Sequence, residues 1–246
     1  MKNKCVLLVL LLLTSHAHAA LYDRSGGLIY DDVLDVTWLQ DANYGAGSRY
    51  DDGVASTDGL MTVIAADAWA SSLNYFDSAR NVTWTDWRLP RGVDTGLPGC
   101  DYAYSNTDCG FNVKTQDSGG VLNELAYMFY INLDNKAYAD TAGMSPQSGW
   151  GLPNLGPFIN LRLEPYWLLV EQRPGASSSW YFDMYYGAQL TGSGGNTLRA
   201  WAVRDGDVAS VPEPDTWAML LAGLGLIVAG VRRKEKLESR HKQTEG

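Results

Sequence analysis

The sequence predicts an α+β body, two helices set among short strands of an antiparallel sheet, with an N-terminal signal helix and a C-terminal apolar helix outside it. Three observations carry this expectation. Only residues 60–74 and 121–133 repeat apolar side chains at helical spacing. The other apolar stretches are short and bounded by Gly, Asp and Asn, as strands between tight turns are. Strands and helices do not alternate, which excludes βαβ units and a parallel sheet. Neither a glycine-rich dinucleotide turn nor a P-loop occurs, so nucleotide binding has no support.

In order along the chain, Leu21 to Arg24 and Leu28 to Asp31 flank Gly26-Gly27 as strands, and Val36 to Leu39 forms a third. Asn43 to Gly59 is a loop rich in Gly, Asp and Ser. Leu60 to Asn74 reads as a helix with Met61, Ile64, Ala68 and Trp69 on one face and Asp58 as its N-terminal cap. Trp84 to Pro90 is compact and aromatic, and 91–118 is a long loop. Val121 to Leu133 reads as a second helix, with Leu122, Leu125, Phe129 and Leu133 inward. Residues 134–160 are irregular. Tyr166 to Glu171, Ser179 to Gln189 and Thr197 to Arg204 read as strands, with Gly192 to Asn196 as the turn between the last two.

The ends are addresses rather than fold. Lys2 and Lys4 precede the apolar run Cys5 to Leu13, and Ala17-His18-Ala19 supplies a small-x-small site, so residues 1–19 read as a signal peptide cut between Ala19 and Ala20. At the other end Val211-Pro212-Glu213-Pro214 leads into an uncharged run, Trp217 to Val231, closed by Arg232, Arg233 and Lys234. As a helix that run would span about 22 Å, against a hydrocarbon core of about 30 Å. Positive charge beside both apolar runs keeps both ends on the cytoplasmic side and places the middle outside. The net charge is −9. Residues 20–211 carry 11 basic and 23 acidic side chains, about −12, which argues against a nucleic-acid partner. The domains expected are therefore 1–19 signal peptide, 20–208 exported body, and 209–246 linker and tail, with the apolar helix at 217–231.

Removal of the signal peptide takes Cys5 with it and leaves Cys100 and Cys109, an even pair in an oxidising compartment. A disulfide between them closes a short loop worth about 2.5–3 kcal/mol in the chain-entropy model. His16, His18 and His241 all lie in the ends, so the exported body holds no imidazole for a Ser-His-Asp or Cys-His site or for His-ligated zinc. No catalytic residue and no metal ligand set is assigned. Paired carboxylates of the glycosidase type are the surviving enzymatic alternative, and a ligand-free structural module is another. Asp31-Asp32-Asp35, Asp51-Asp52 and Asp205-Gly206-Asp207 are dense in carboxylates, but none fits an EF-hand loop, so calcium has no motif behind it; turn chemistry accounts for them. Eight of the nine Trp lie in the body. Trp38, Trp69, Trp87, Trp167 and Trp201 read as core. Trp150, between Gly149 and Gly151, and Trp180 are candidate glycan-stacking residues, with Tyr102 and Tyr104 from the disulfide loop.

Two resemblances add to this reading. Pro212-Glu213-Pro214, the Trp217 to Leu221 segment and Arg232-Arg233 resemble the PEP-CTERM sorting signal of Gram-negative bacteria. That resemblance implies recognition by an exosortase, a membrane transpeptidase that processes the tail near Pro-Glu-Pro, transient anchoring in the membrane, a cell-surface or extracellular destination, and company with exopolysaccharide and biofilm. Gly26 to Asp31, Thr37 to Tyr44, Asp86-Trp87-Arg88-Leu89-Pro90, Asn123-Glu124-Leu125, Gly156-Pro157-Phe158 and Ala200 to Asp207 together resemble the DUF1566 or Lcl C-terminal domain. The Trp-Arg-Leu-Pro and Ala-Val-Arg elements are also similar to C-type-lectin-like folds, which implies that architecture for the body. The Lcl resemblance implies adhesion to polysaccharide, although a body at about −12 repels sulphated glycans. The expectation is a non-catalytic exported binding or structural module whose partners are signal peptidase, exosortase and extracellular polysaccharide.

Overall fold

The computed structural model describes residues 21–52, 57–94, 100, 108–117, 120–121, 123–170 and 178–208, together with Leu224 and Leu226. The chain divides into two units, residues 1–208 and 209–246. The first is built from strands β1 (Leu21–Asp23), β2 (Leu28–Asp31), β3 (Val36–Leu39) and β4 (Leu60–Met61), helix α1 (Val63–Ser71), then β5 (Tyr75–Asp77), β6 (Val82–Trp84), β7 (Trp87–Arg88), β8 (Gly110–Phe111), β9 (Gln116–Asp117) and β10 (Gly120–Val121). Helix α2 (Glu124–Tyr127) runs into a π turn, Met128–Asn132. Strands β11 (Pro165–Trp167), β12 (Ser178–Asp183), β13 (Ala188–Ser193), β14 (Leu198–Arg199) and β15 (Val203–Asp205) complete it.

Two sheets organise the body. One has the order β1-β2-β3-β15-β7 and is antiparallel throughout. The other has the order β4-β14-β11-β12-β13-β8, with a single parallel pairing, Tyr166 opposite Arg199. Two hairpins stand apart, β5–β6 and β9–β10. Turn chemistry sets this pattern. Asp35 and Asn81 take positive φ in the turns after β2 and β5, a conformation that Asp and Asn tolerate because their short side chains bond the local backbone.

The α+β, C-type-lectin-like expectation is overturned: among the described residues the body is mostly β, with two short helices. The first expected helix fails at its start because Met61 pairs with Leu198 as part of β4. Thr62, not Asp58, caps α1, its Oγ1 accepting from the Ala65 N–H, while Asp58 accepts from the Leu60 N–H in the preceding loop. Ile64 is consequently 80% exposed, and Ala66, Trp69 and Ala70 form the buried face. The second expected helix gives up Val121 to β10 and begins only after Asn123, whose Oδ1 accepts from Ala126 N–H. It then widens into the π turn that puts Phe129 in the core. The span 179–189 is a hairpin rather than one strand, because Asp183 Oδ1 accepts from Tyr185 and Tyr186 and closes a turn. Gly187 in that turn has φ +59°, and a Cβ there would stand 2.9 Å from Ala137 Cα. Thr197 to Arg204 likewise divides between the two sheets at Ala200-Trp201-Ala202.

The expected C-terminal apolar helix is also corrected. Leu224 and Leu226 are helical, but among the described residues no helix is long and apolar enough to cross a membrane. The rest of 217–231, the signal helix over 1–19 with its Ala19–Ala20 site, and Pro212, Glu213, Pro214, Arg232 and Arg233 lie outside the described residues.

The core sits around three rings. Trp38 and Trp201 approach to 4.6 Å between centroids, and Phe158 meets Trp201 edge-on at 4.7 Å. Trp201 Nε1 donates to the Leu39 carbonyl, and Trp167 Nε1 donates to that of Met61. Trp38, Trp69, Trp87, Trp167 and Trp201 are all buried. Charged pairs tie the edges. Arg88 joins Glu124 and Asp205, and Arg204 grips Asp86 while lying 4.4 Å over the Trp84 ring. Cys100 and Cys109 are joined by a disulfide that leads into β8.

Candidate functional site

The structure builds an aromatic surface around Trp150 from three segments. Trp150 and Gly151 bridge to Lys136, which holds the Ser148 to Gly151 turn against residues 136–138. Gln147 fixes that turn from its other side, donating from its backbone to the Tyr138 carbonyl and from Nε2 to that of Ala137. Tyr138 N–H in turn donates to the Tyr186 carbonyl at 2.8 Å, attaching the β12–β13 turn. Both flanking glycines of Trp150 have positive φ, which explains the residue pattern Gly-Trp-Gly.

The rings that result support one another. Tyr138 and Tyr185 both meet Trp150 edge-on at 4.9 Å. Tyr186 lies nearly parallel to Trp150, at 11° and 6.2 Å. Tyr186 also packs edge-on against Tyr138, and Phe111 of β8 backs both. Tyr185 and Tyr186 remain 39% and 40% exposed, while Trp150 and Tyr138 are half-buried. This is a rigid, partly wet aromatic platform. Such a platform stacks on the apolar face of a pyranose ring, with hydroxyl-seeking groups beside it. An adjoining cleft of about 220 Å³ is lined by Asn112, Asn135, Lys136, Asp140 and Gln147; the three amides bond backbone carbonyls, and Lys136 and Asp140 supply its charged groups. Beneath the tyrosine turn, burial raises the pKa of Asp183, while the N–H groups of Tyr185 and Tyr186 act in the opposite direction.

The other candidates fare differently. Trp180 is half-buried, donates from Nε1 to Asp94 Oδ2 at 3.2 Å, and lines an apolar cavity of about 260 Å³ with Val63, Ile64, Leu169 and Val170. Among the described residues it makes no ring contact with Trp150. Tyr102 and Tyr104 lie outside the described residues. Tyr138, Tyr185 and Tyr186 carry the platform but were not legible as a site. The available signal was the Tyr-Tyr-Gly sequence following Asp183, a pair of aromatics at a turn tip.

The aspartate-dense stretches act mainly on their own backbone. Asp31 Oδ1 accepts from Val33 and Leu34, and burial raises its pKa despite those bonds and the Asn132 amide. Asp207 binds Arg24 through two oxygens, and Asp205 binds Arg88 and Arg91. Asp51, Asp52 and Asp58 bring one carboxylate oxygen each within 4.8 Å of one another. Asp51 Oδ2 there accepts from the Gly47 and Gly59 N–H groups, which is loop-closing chemistry.

Comparison with known proteins bears on the tail. The PEP-CTERM protein-sorting motif matches residues 210–234. No curated protein and no solved structure matches the chain significantly. The match defines the class: an exported protein bearing a sorting tail that an exosortase processes. The chain crosses the inner membrane of a Gram-negative bacterium and is placed at the cell surface or outside the cell.

Proposed function

We propose that the body of this exosortase-sorted protein is a non-catalytic module that associates with extracellular polysaccharide in the surface or biofilm matrix. The platform of Trp150, Tyr138, Tyr185 and Tyr186 is the observation that carries this reading. Rings held by backbone bonds from three segments, with Tyr185 and Tyr186 the most exposed of them, need not rearrange to meet a ligand, which limits the entropy lost on binding. The acidic body favours neutral or amino-bearing glycans over sulphated ones. The carboxylate beneath the platform, Asp183, is engaged by two backbone N–H groups, which favours binding over glycosidic chemistry.

The test is a glycan array that includes the host's own exopolysaccharide, probed with the secreted chain. Trp150→Ala removes the central ring and is expected to weaken binding about tenfold, equivalent to about 1.4 kcal/mol. Trp180→Ala, in its separate apolar cavity, leaves binding within about twofold. Absence of glycan binding, or binding indifferent to both Trp150→Ala and a Tyr185→Ala/Tyr186→Ala pair, removes the proposal.

A further inference from the structure

A second concave site lies apart from the Trp150 platform, where the chain after β3 meets residues 157–160. We infer that this cleft, lined by Gly27, Gln40, Asp41, Tyr44, Tyr75 and Ile159, is a binding site for one sugar residue, a neutral or amino-bearing pyranose at a chain end or branch tip. The inference stands on its own residues and does not need the platform.

The floor is fixed by backbone. Gln40 N–H donates to the Gly27 carbonyl, Ile159 N–H to that of Gln40, and Ala42 N–H to that of Ile159. Gly27 has φ +77°, and a Cβ there would come within 2.4 Å of the Tyr75 hydroxyl, so only glycine lets that ring reach the cleft. One wall is aromatic. Tyr44 is 43% exposed and rests edge-on against Tyr75 at 5.3 Å. Tyr75 in turn meets Trp87 edge-on at 5.8 Å, and its hydroxyl donates to the Gly26 carbonyl at 2.7 Å. A solvent-facing ring at the top of a braced column is a prepared stacking surface rather than a stray exposed side chain.

The polar group is Asp41. Its Oδ1 accepts from Asn43 N–H at 2.9 Å and from Asn160 Nδ2 at 3.0 Å, which holds the carboxylate in place. Its Oδ2 has no partner among the described residues. An ionised carboxylate only accepts hydrogen bonds, so the complementary ligand offers O–H or N–H donors and an apolar face for the ring. Pyranoses have both features, and an acidic sugar is repelled by Asp41. The cleft holds about 230 Å³. That lies below the ~300–1,000 Å³ of pockets that enclose drug-sized ligands, and it has room for one ring only. A site of that size takes a terminal residue, whereas an open platform can take the middle of a chain.

Saturation-transfer NMR on the secreted chain tests this with glucose, galactose, mannose, N-acetylglucosamine and glucuronic acid as probes. At least one of the four uncharged sugars is expected to bind in the millimolar range, with glucuronic acid at least tenfold weaker. Tyr44→Ala and Asp41→Asn each weaken binding at least tenfold. Tyr44→Phe, which keeps the ring, retains it, and Ile159→Trp, which fills the cleft, abolishes it. Trp150→Ala by itself leaves the transfer from the cleft intact, and the Tyr44, Asp41 and Ile159 variants are made in that Trp150→Ala background, where the platform lacks its central ring, so failure of the platform and failure of this cleft are separable. The inference is overturned if none of the four uncharged sugars shows transfer, or if transfer persists unchanged in Tyr44→Ala and Ile159→Trp.

Discussion

Replacing Arg88 by alanine is expected to lower the unfolding free energy by about 3–5 kcal/mol, the range for breaking a buried ion pair from one side. Arg88 ends β7, and its guanidinium donates to both oxygens of Glu124 at 2.8 Å while also reaching Asp205 at the end of β15. It therefore joins the start of α2 to the edge of the first sheet. Its side chain is 13% exposed and that of Glu124 8%, so neither charge can turn to water when its partner is lost. Burial by itself lowers the Arg88 pKa, and the two carboxylates more than offset this and raise it, so the guanidinium is held charged. Removing Arg88 leaves the Glu124 carboxylate with the Arg91 backbone N–H and, at 4.0 Å, the half-exposed Arg91 guanidinium. A shift of the urea midpoint to lower concentration with an unchanged slope is the expected readout. Replacing both partners, Arg88→Met with Glu124→Leu, is expected to recover much of the loss, because no buried charge is stranded. Equal destabilisation by the single and double variants contradicts this explanation.

Trp201→Ala is expected to remove a similar amount, about 3–5 kcal/mol, for a different reason. Trp201 is fully buried and serves as the common partner of Trp38, Phe158 and Tyr166. Its loss opens a cavity that three large rings cannot fill by small shifts, because the interior is already close-packed. It also removes the donor to the Leu39 carbonyl. Trp201→Phe keeps most of the ring volume and leaves that carbonyl without its indole partner, so its cost is about 1–3 kcal/mol. Thermal unfolding of the body distinguishes the two, with a fall on the order of 10 °C for the alanine variant. A fall of less than 2–4 °C, the value of about 1 kcal/mol in a domain of this size, contradicts the placement of Trp201 at the centre of the core.

Much of the strand pattern was legible because local turn chemistry reports it. Gly26-Gly27 between β1 and β2, and Asp35 between β2 and β3, punctuate strands whose limits the sequence reading nearly reproduces. The helices were not legible to the same degree. Met61, Ile64, Ala68 and Trp69 follow helical spacing, yet Met61 is claimed by a strand partner 137 positions away, a contact to which periodicity is blind. The β12–β13 hairpin was hidden in an unbroken aromatic run, and its turn depends on Asp183 bonding two N–H groups rather than on an Asn-Gly signal. The candidate site was half legible. Trp150 stands out because glycines flank it, whereas Tyr138 and Tyr186 join it only through tertiary bonds. Asp41 and Tyr44 lie three positions apart in sequence, but the cleft they line needs Ile159 from a distant segment. The tail is the opposite case. Its information is linear, a Pro-Glu-Pro, an apolar run and an arginine stop, and it can be read without any fold.

Intact-mass spectrometry of the protein recovered from the cell surface and medium tests exosortase sorting most directly. The expected mature chain begins at Ala20 and ends between Pro212 and Asp215, with any exchanged group attached there. Surface or secreted material that retains the full tail to Gly246 contradicts processing by an exosortase.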